Sequence, residues 1–243
     1  MANAYVKISG SWKEINTIYT KVNGTWKEIQ LGYVKVGGSW KLIFDPVTPG
    51  SLNLTSPGSY NWVVQSYNTL TVQLWGGGGA GEAKSMNIYG SGYKAGLLGG
   101  DTLFNNTFIA RGGLGGSNRT GGTASGTGPN LTIIQGENGG TGTSTAPRGF
   151  GGASPNGGTR AVGTSVAGNA PGGGGSGNYG TAPTGFGGTF TYAGGGGGGG
   201  GYLRKIFARG DLTPKSTISV KVGSKGTEGS ADGANGRVYL QWN

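Results

Sequence analysis

The first forty-five residues alternate apolar and polar side chains in short runs, and the whole pattern recurs with a period of 14 residues. Tyr5-Val-Lys-Ile-Ser-Gly-Ser-Trp-Lys-Glu-Ile15 is followed by Tyr19-Thr-Lys-Val-Asn-Gly-Thr-Trp-Lys-Glu-Ile29 and Tyr33-Val-Lys-Val-Gly-Gly-Ser-Trp-Lys-Leu-Ile43. Each copy sets two β-type runs around Ser9-Gly10, Asn23-Gly24 or Gly37-Gly38, dipeptides suited to the positive φ angles of a two-residue turn. The pattern predicts three β-hairpins over residues 1–45. A two-residue turn puts Lys7 opposite Trp12, Lys21 opposite Trp26 and Lys35 opposite Trp40, so that each lysine stem covers an indole. Val6, Ile8 and Ile15 take the other face. A lone hairpin is marginal in water, which leaves two uses for the tryptophans: packing against one another, or docking onto a partner as an attachment or oligomerisation module.

Proline and glycine then interrupt the pattern in Asp45-Pro-Val-Thr-Pro-Gly50 and Ser56-Pro57-Gly58, which predicts a connector over 46–59 and a boundary near residue 45. Alternation resumes at Tyr60, Trp62 and Val64, and again at Leu70, Val72 and Leu74 before Trp75. It returns at Ile218, Val220 and Val222 and at Val238, Leu240 and Trp242, with turn signals at Asp232-Gly233 and Asn235-Gly236. The expected unit is a glycine-rich domain over 60–243, with strands near 60–75, 202–222 and 237–242.

Composition changes the picture between those strands. Glycine supplies 59 of the 243 residues, and 46 of the 126 positions from 76 to 201, so side-chain burial cannot be the main source of order there. Collagen is excluded because the longest run is eight glycines, 194–201, and no three-residue sequence period persists. Two outcomes compete. Disorder is one, since each fixed glycine costs backbone entropy with no side chain to bury. The other is a lattice of extended, left-handed helices of polyproline II shape, whose backbones approach closely and bond to each other because glycine keeps its N–H and lacks Cβ. Many short runs of similar length, enclosed by strands, favour the lattice.

Chemistry is sparse. No stretch reaches the length of a membrane span, and the polar start is no secretory signal. With no Cys and no His, thiolate and imidazole metal sites and the commonest general base are missing, so no metal and no cofactor are expected. The net charge of +10 is spread as +3 over 1–45, +3 over 76–201 and +4 over 202–243, which argues against nucleic acid as a partner. Gly175-Ser-Gly-Asn-Tyr-Gly180 fits a dinucleotide fingerprint only by chance, having neither strand before it nor helix after. Paired carboxylates for glycan cleavage would have to come from Glu82, Asp101 and Glu137, which are far apart, so no enzyme is expected.

Binding anchors are better represented. The segments between glycine runs carry Tyr89, Tyr93, Phe104, Phe108, Arg119, Arg148, Phe150, Arg160, Tyr179, Phe186, Phe190 and Tyr192. Phe104 and Phe108, in the most apolar segment, are expected in a small core. Tyr89, Tyr93, Arg119, Arg148, Phe150 and Tyr179 stand among small polar residues and are the candidate recognition residues, with Trp12, Trp26 and Trp40 the candidates for attachment.

Taken in order, Pro57-Gly-Ser-Tyr-Asn-Trp62, Leu70-Thr-Val-Gln-Leu-Trp-Gly-Gly-Gly-Gly79, the glycine run into Tyr202, Leu212-Thr-Pro214, Ile218-Ser-Val-Lys-Val-Gly223 and Asp232-Gly-Ala-Asn-Gly-Arg-Val-Tyr-Leu-Gln-Trp242 resemble the glycine-rich domain of bacteriophage tail fibres and tail-tip adhesins, over roughly residues 50–243. The tandem Trp-Lys repeats are also similar to segments of phage tail proteins. The resemblance implies an all-β protein with extensive irregular structure, in which β-hairpin repeats precede a domain of strands enclosing packed polyglycine II helices. It further implies a receptor-binding protein of the virion, at the distal tail fibre and made in the host cytoplasm. Its interglycine loops would meet a bacterial surface receptor, either outer-membrane protein or polysaccharide, and its partner would be a trimeric fibre shaft. A passive fibre or decoration segment is the alternative. Known tail-tip adhesins look helical at the amino end where this chain has its repeats, so their mode of attachment does not carry over.

Overall fold

The computed structural model describes residues 5–15, 18–29, 32–44, 47–87, 89–142, 149–184 and 186–243. Among them every regular element is a β-strand, paired antiparallel. The first six are β1 (Tyr5–Ile8), β2 (Ser11–Glu14), β3 (Tyr19–Val22), β4 (Thr25–Glu28), β5 (Gly32–Val36) and β6 (Ser39–Phe44). They form three separate two-stranded sheets, with Lys7 opposite Trp12, Lys21 opposite Trp26 and Lys35 opposite Trp40. Both residues of each connecting dipeptide, from Ser9 (φ 49°) and Gly10 (φ 83°) to Gly37 and Gly38, have positive φ. That is the mirror-image turn whose twist matches paired strands.

Next come β7 (Gly50–Leu54), β8 (Gly58–Val63), β9 (Thr69–Trp75), β10 (Ala83–Asn87), β11 (Gly90–Lys94), β12 (Thr102–Phe104), β13 (Phe108–Ala110), β14 (Ala124–Ser125) and β15 (Leu131–Ile134). The chain ends with β16 (Tyr179–Pro183), β17 (Thr189–Ala193), β18 (Tyr202–Ala208), β19 (Thr217–Val222) and β20 (Arg237–Trp242). Ten of these make two five-stranded sheets, in the orders β15-β18-β9-β20-β7 and β14-β13-β12-β19-β8. β7 lies inside the segment expected to be a connector: Leu52 and Leu54 alternate with Asn53, and the strand pairs with β20, so a sheet strand already starts at Gly50.

The sheets face each other across one core. Leu70, Val72 and Leu74 of β9 and Val238 and Leu240 of β20, all fully buried, meet Phe104, Val220 and Val222 from the other sheet and Val64 just past the end of β8. Aromatic rings bridge the layers: Trp62 lies 6.0 Å from Trp242 and Phe104 lies 5.8 Å from Phe207, centroid to centroid. Phe104 and Phe108 thus take the core role expected of them.

Glycine segments continue the strands of this sandwich. β9 runs into Gly76–Gly79, β13 into Gly112–Gly113, β15 into Gly136, and Gly194–Gly201 runs into β18. Buried Thr102 ties the two regions, its hydroxyl donating to Trp75 O (2.6 Å) and accepting from Gly223 N–H (2.9 Å). Gly194–Gly201 belongs to no sheet, yet all eight residues are buried. Their N–H groups point to neighbours in rotation. Gly196 and Gly199 donate to Gly140 and Glu137, Gly197 and Gly200 to Gly175 and Gly172, and Gly198 and Gly201 to Leu114 and Arg111, all at 2.7–2.9 Å. Its carbonyls at 195, 198 and 201 accept from Glu82, Gly79 and Gly76, while those at 197 and 199 accept from Gly152 and Gly122. Six chain segments therefore surround this one. Residues 76–82 show the same rotation, donating in turn to the segments at 195–201, 97–100 and 231–234.

Candidate functional site

Because the glycine segments start from strand ends, the chain between them emerges at the opposite end from the sandwich. There Glu82 leaves the first glycine segment tightly held: its N–H donates to Gly195 O (2.8 Å), and its buried carboxylate accepts from Gly195 N–H (3.0 Å). The two-stranded unit β10–β11 follows, and Asn178 at the start of β16 clamps it by accepting from Lys84 N–H (2.7 Å) and donating to Lys84 O (2.6 Å). β10 also lies against β16 and β17.

These segments enclose a groove of about 480 Å³ lined by Glu82, Lys84, Met86, Ser91, Tyr93, Ser117 and Tyr192. A second hollow of about 230 Å³ shares Glu82, Lys84 and Ser117 and adds Arg119, Thr141 and Gly195. The register explains the lining. Lys84 faces Tyr93 and Met86 faces Ser91 across β10–β11, so all four share one side of that ribbon. Tyr192 pairs with Gly180 across β16–β17, and its hydroxyl occupies the space that a Cβ on Gly180 would need. Arg119 has φ 62°, lays its methylenes against Gly195 and donates to the Thr141 hydroxyl. Lys84 Nζ stands 3.7 Å from Glu82 Oε2.

The candidate residues divide accordingly. Tyr93, 73% exposed, lines the groove, and Arg119 lines the adjoining hollow that shares Glu82, Lys84 and Ser117 with it. Tyr89, 91% exposed, sits at the turn between β10 and β11, and half-buried Tyr179 opens β16. Phe150 is elsewhere: the Arg160 guanidinium lies 4.5 Å from its ring centroid, and Arg160 Nε donates to both Glu137 carboxylate oxygens (2.7 and 2.8 Å). That hydrogen-bonded ion pair holds the Glu137 carboxyl below the usual carboxylate range. Arg148 lies outside the described residues, as does the side chain of Trp40. Trp12 and Trp26 are 69% and 66% exposed, each under its lysine, with Nζ 5.9 Å from the ring centroid.

Glu82, Lys84, Ser117 and Tyr192 were not singled out for recognition from sequence. The alternation of Lys84 and Met86 with Ser91 and Tyr93 was the available signal. The three carboxylates of the glycine-rich part each have separate partners: Glu82 as above, Glu137 with Arg160, and Asp101 with Gly112 N–H (2.9 Å) and Arg111 (3.7 Å). Among the described residues no cluster of three or more acidic side chains could hold a metal ion.

Comparison of the chain with protein-family models, with curated proteins and with solved structures finds no match.

Proposed function

We propose that the chain is a receptor-binding protein of the tail-tip adhesin kind, recognising a bacterial surface through segments displayed on a rigid polyglycine II scaffold. The observation that carries this reading is the rotation of hydrogen bonds every three residues along 194–201 and 76–82. Three residues per turn is the period of the polyproline II helix, and six neighbours around one segment is hexagonal packing of such rods. Eight residues at that helix's rise span roughly 25 Å, which separates the displayed segments from the sandwich. Backbone bonded on every side loses little further entropy when a ligand arrives, so short loops anchored in it bind as preorganised elements.

The three Trp-Lys strand pairs are the attachment module. The Trp12 and Trp26 indoles are exposed, and a two-stranded unit is marginal alone, so the pairs dock on a partner, which we take to be a trimeric fibre shaft with one pair per subunit. The chain then works in the virion at the distal end of the fibre, with binding rather than catalysis as its task. Incubating fluorescently labelled chain with a panel of bacterial strains tests the reading. Saturable adsorption to a subset of strains is expected. Adsorption to none would reduce the chain to a passive fibre segment.

A further inference from the structure

The groove at the far end of the glycine segments has a chemistry that selects among receptors. Its walls combine two tyrosine rings, Tyr93 and Tyr192, with serine hydroxyls, a held carboxylate and Lys84, Met86 is its only large aliphatic side chain, and the adjoining hollow adds Arg119. A peptide anchor wants a deep apolar socket. Flat rings beside hydroxyl and charged groups suit a sugar instead, whose C–H face stacks on a tyrosine while its hydroxyls take the polar partners.

Charge narrows the class further. Lys84 is offset by Glu82 3.7 Å away, and Glu82 is itself committed to Gly195 N–H. Arg119 has no carboxylate within 4 Å among the described residues, and the hydrogen bond it donates goes to the neutral Thr141 hydroxyl. A guanidinium of this kind beside a groove is a fork for carboxylate or phosphate.

We propose that this groove and the hollow adjoining it bind an acidic saccharide of the bacterial surface, with a sugar ring on Tyr93 and Tyr192 in the groove and its carboxylate or phosphate on Arg119 in the hollow. This inference rests on the adhesin reading and names the receptor class for it. The shared chemistry, an anionic sugar, can come from capsule or from lipopolysaccharide O-chains.

The test applies the full chain to an array of purified capsular polysaccharides and O-chains, acidic and neutral, alongside the cells they came from. Retention on acidic members is expected, weakening as salt rises, and whether capsule or O-chain spots retain it identifies the source. Arg119→Gln and the exposed-site variant Tyr93→Ser are each expected to weaken retention by about tenfold or more at unchanged melting temperature. Phe186→Ser, fully exposed outside the groove lining, is expected to bind like wild type. Undiminished binding by both groove variants would overturn the inference. Adsorption to cells that protease treatment abolishes, with no polysaccharide retained, would overturn it while leaving the adhesin reading intact. Binding to neither cells nor glycans would sink both.

Discussion

At the scale of single residues, glycine is required here by what a Cβ would strike. A Cβ built on Gly197 falls 2.2 Å from Gly79 O, and one on Gly174 falls 2.1 Å from Gly197 O. Both obstacles are backbone carbonyls that accept hydrogen bonds, so neither can turn aside like a side chain. Relief means pushing whole segments apart and breaking buried N–H to C=O bonds, at a combined cost of about 3 kcal/mol or more. Gly174→Val is therefore expected to lower the melting temperature by roughly 6–12 °C, since about 2–4 °C follow each kcal/mol in a domain of this size. Gly187, at an open turn with nothing within 4 Å of a built Cβ, pays only for its positive φ. Calorimetry showing Gly174→Val melting with wild type would remove the close-packed glycine scaffold.

At the scale of elements, the strands of the sandwich were legible because their signal is local and periodic: Leu70, Val72 and Leu74 fill one face of β9 and are fully buried. Their partners were not. β9 pairs with β18, more than a hundred residues downstream, as well as with β20, and nothing within a strand encodes that choice. β7 escaped notice because prolines flank it and only Leu52 and Leu54 mark its inner face. The groove was half legible. Tyr93 and Arg119 could be picked as aromatic and cationic residues among small neighbours, but their placement in adjoining hollows depends on which glycine segments lie side by side. Phe150 could be picked in the same way, but not the Arg160 that covers its ring, which arrives from another segment. The Trp-Lys pairs carry a prediction at this scale. Docking on a separate shaft means that the purified chain sediments as a monomer and that Trp26→Ala, at a side chain 66% exposed with Lys21 over its ring, leaves the melting temperature unchanged. A stable trimer that dissociates in Trp26→Ala, losing roughly 2 kcal/mol or more of association energy per anchor, would instead make residues 1–45 an oligomerisation module.

For the whole molecule, the sandwich and the glycine segments divide the work. The sandwich supplies an apolar core at one end, and backbone hydrogen bonds extend its order outward through segments that have almost no side chains to bury. The proposed display of recognition segments uses this arrangement, because the described segments between glycine runs lie where those runs leave the sandwich. A rigid scaffold requires those glycine segments to be as firmly ordered as the core that anchors them. Hydrogen exchange of the amides at 194–201 measures that directly. Protection matching that of β9 is predicted, with loss only on global unfolding; exchange at open-chain rates while β9 stays protected would contradict the account.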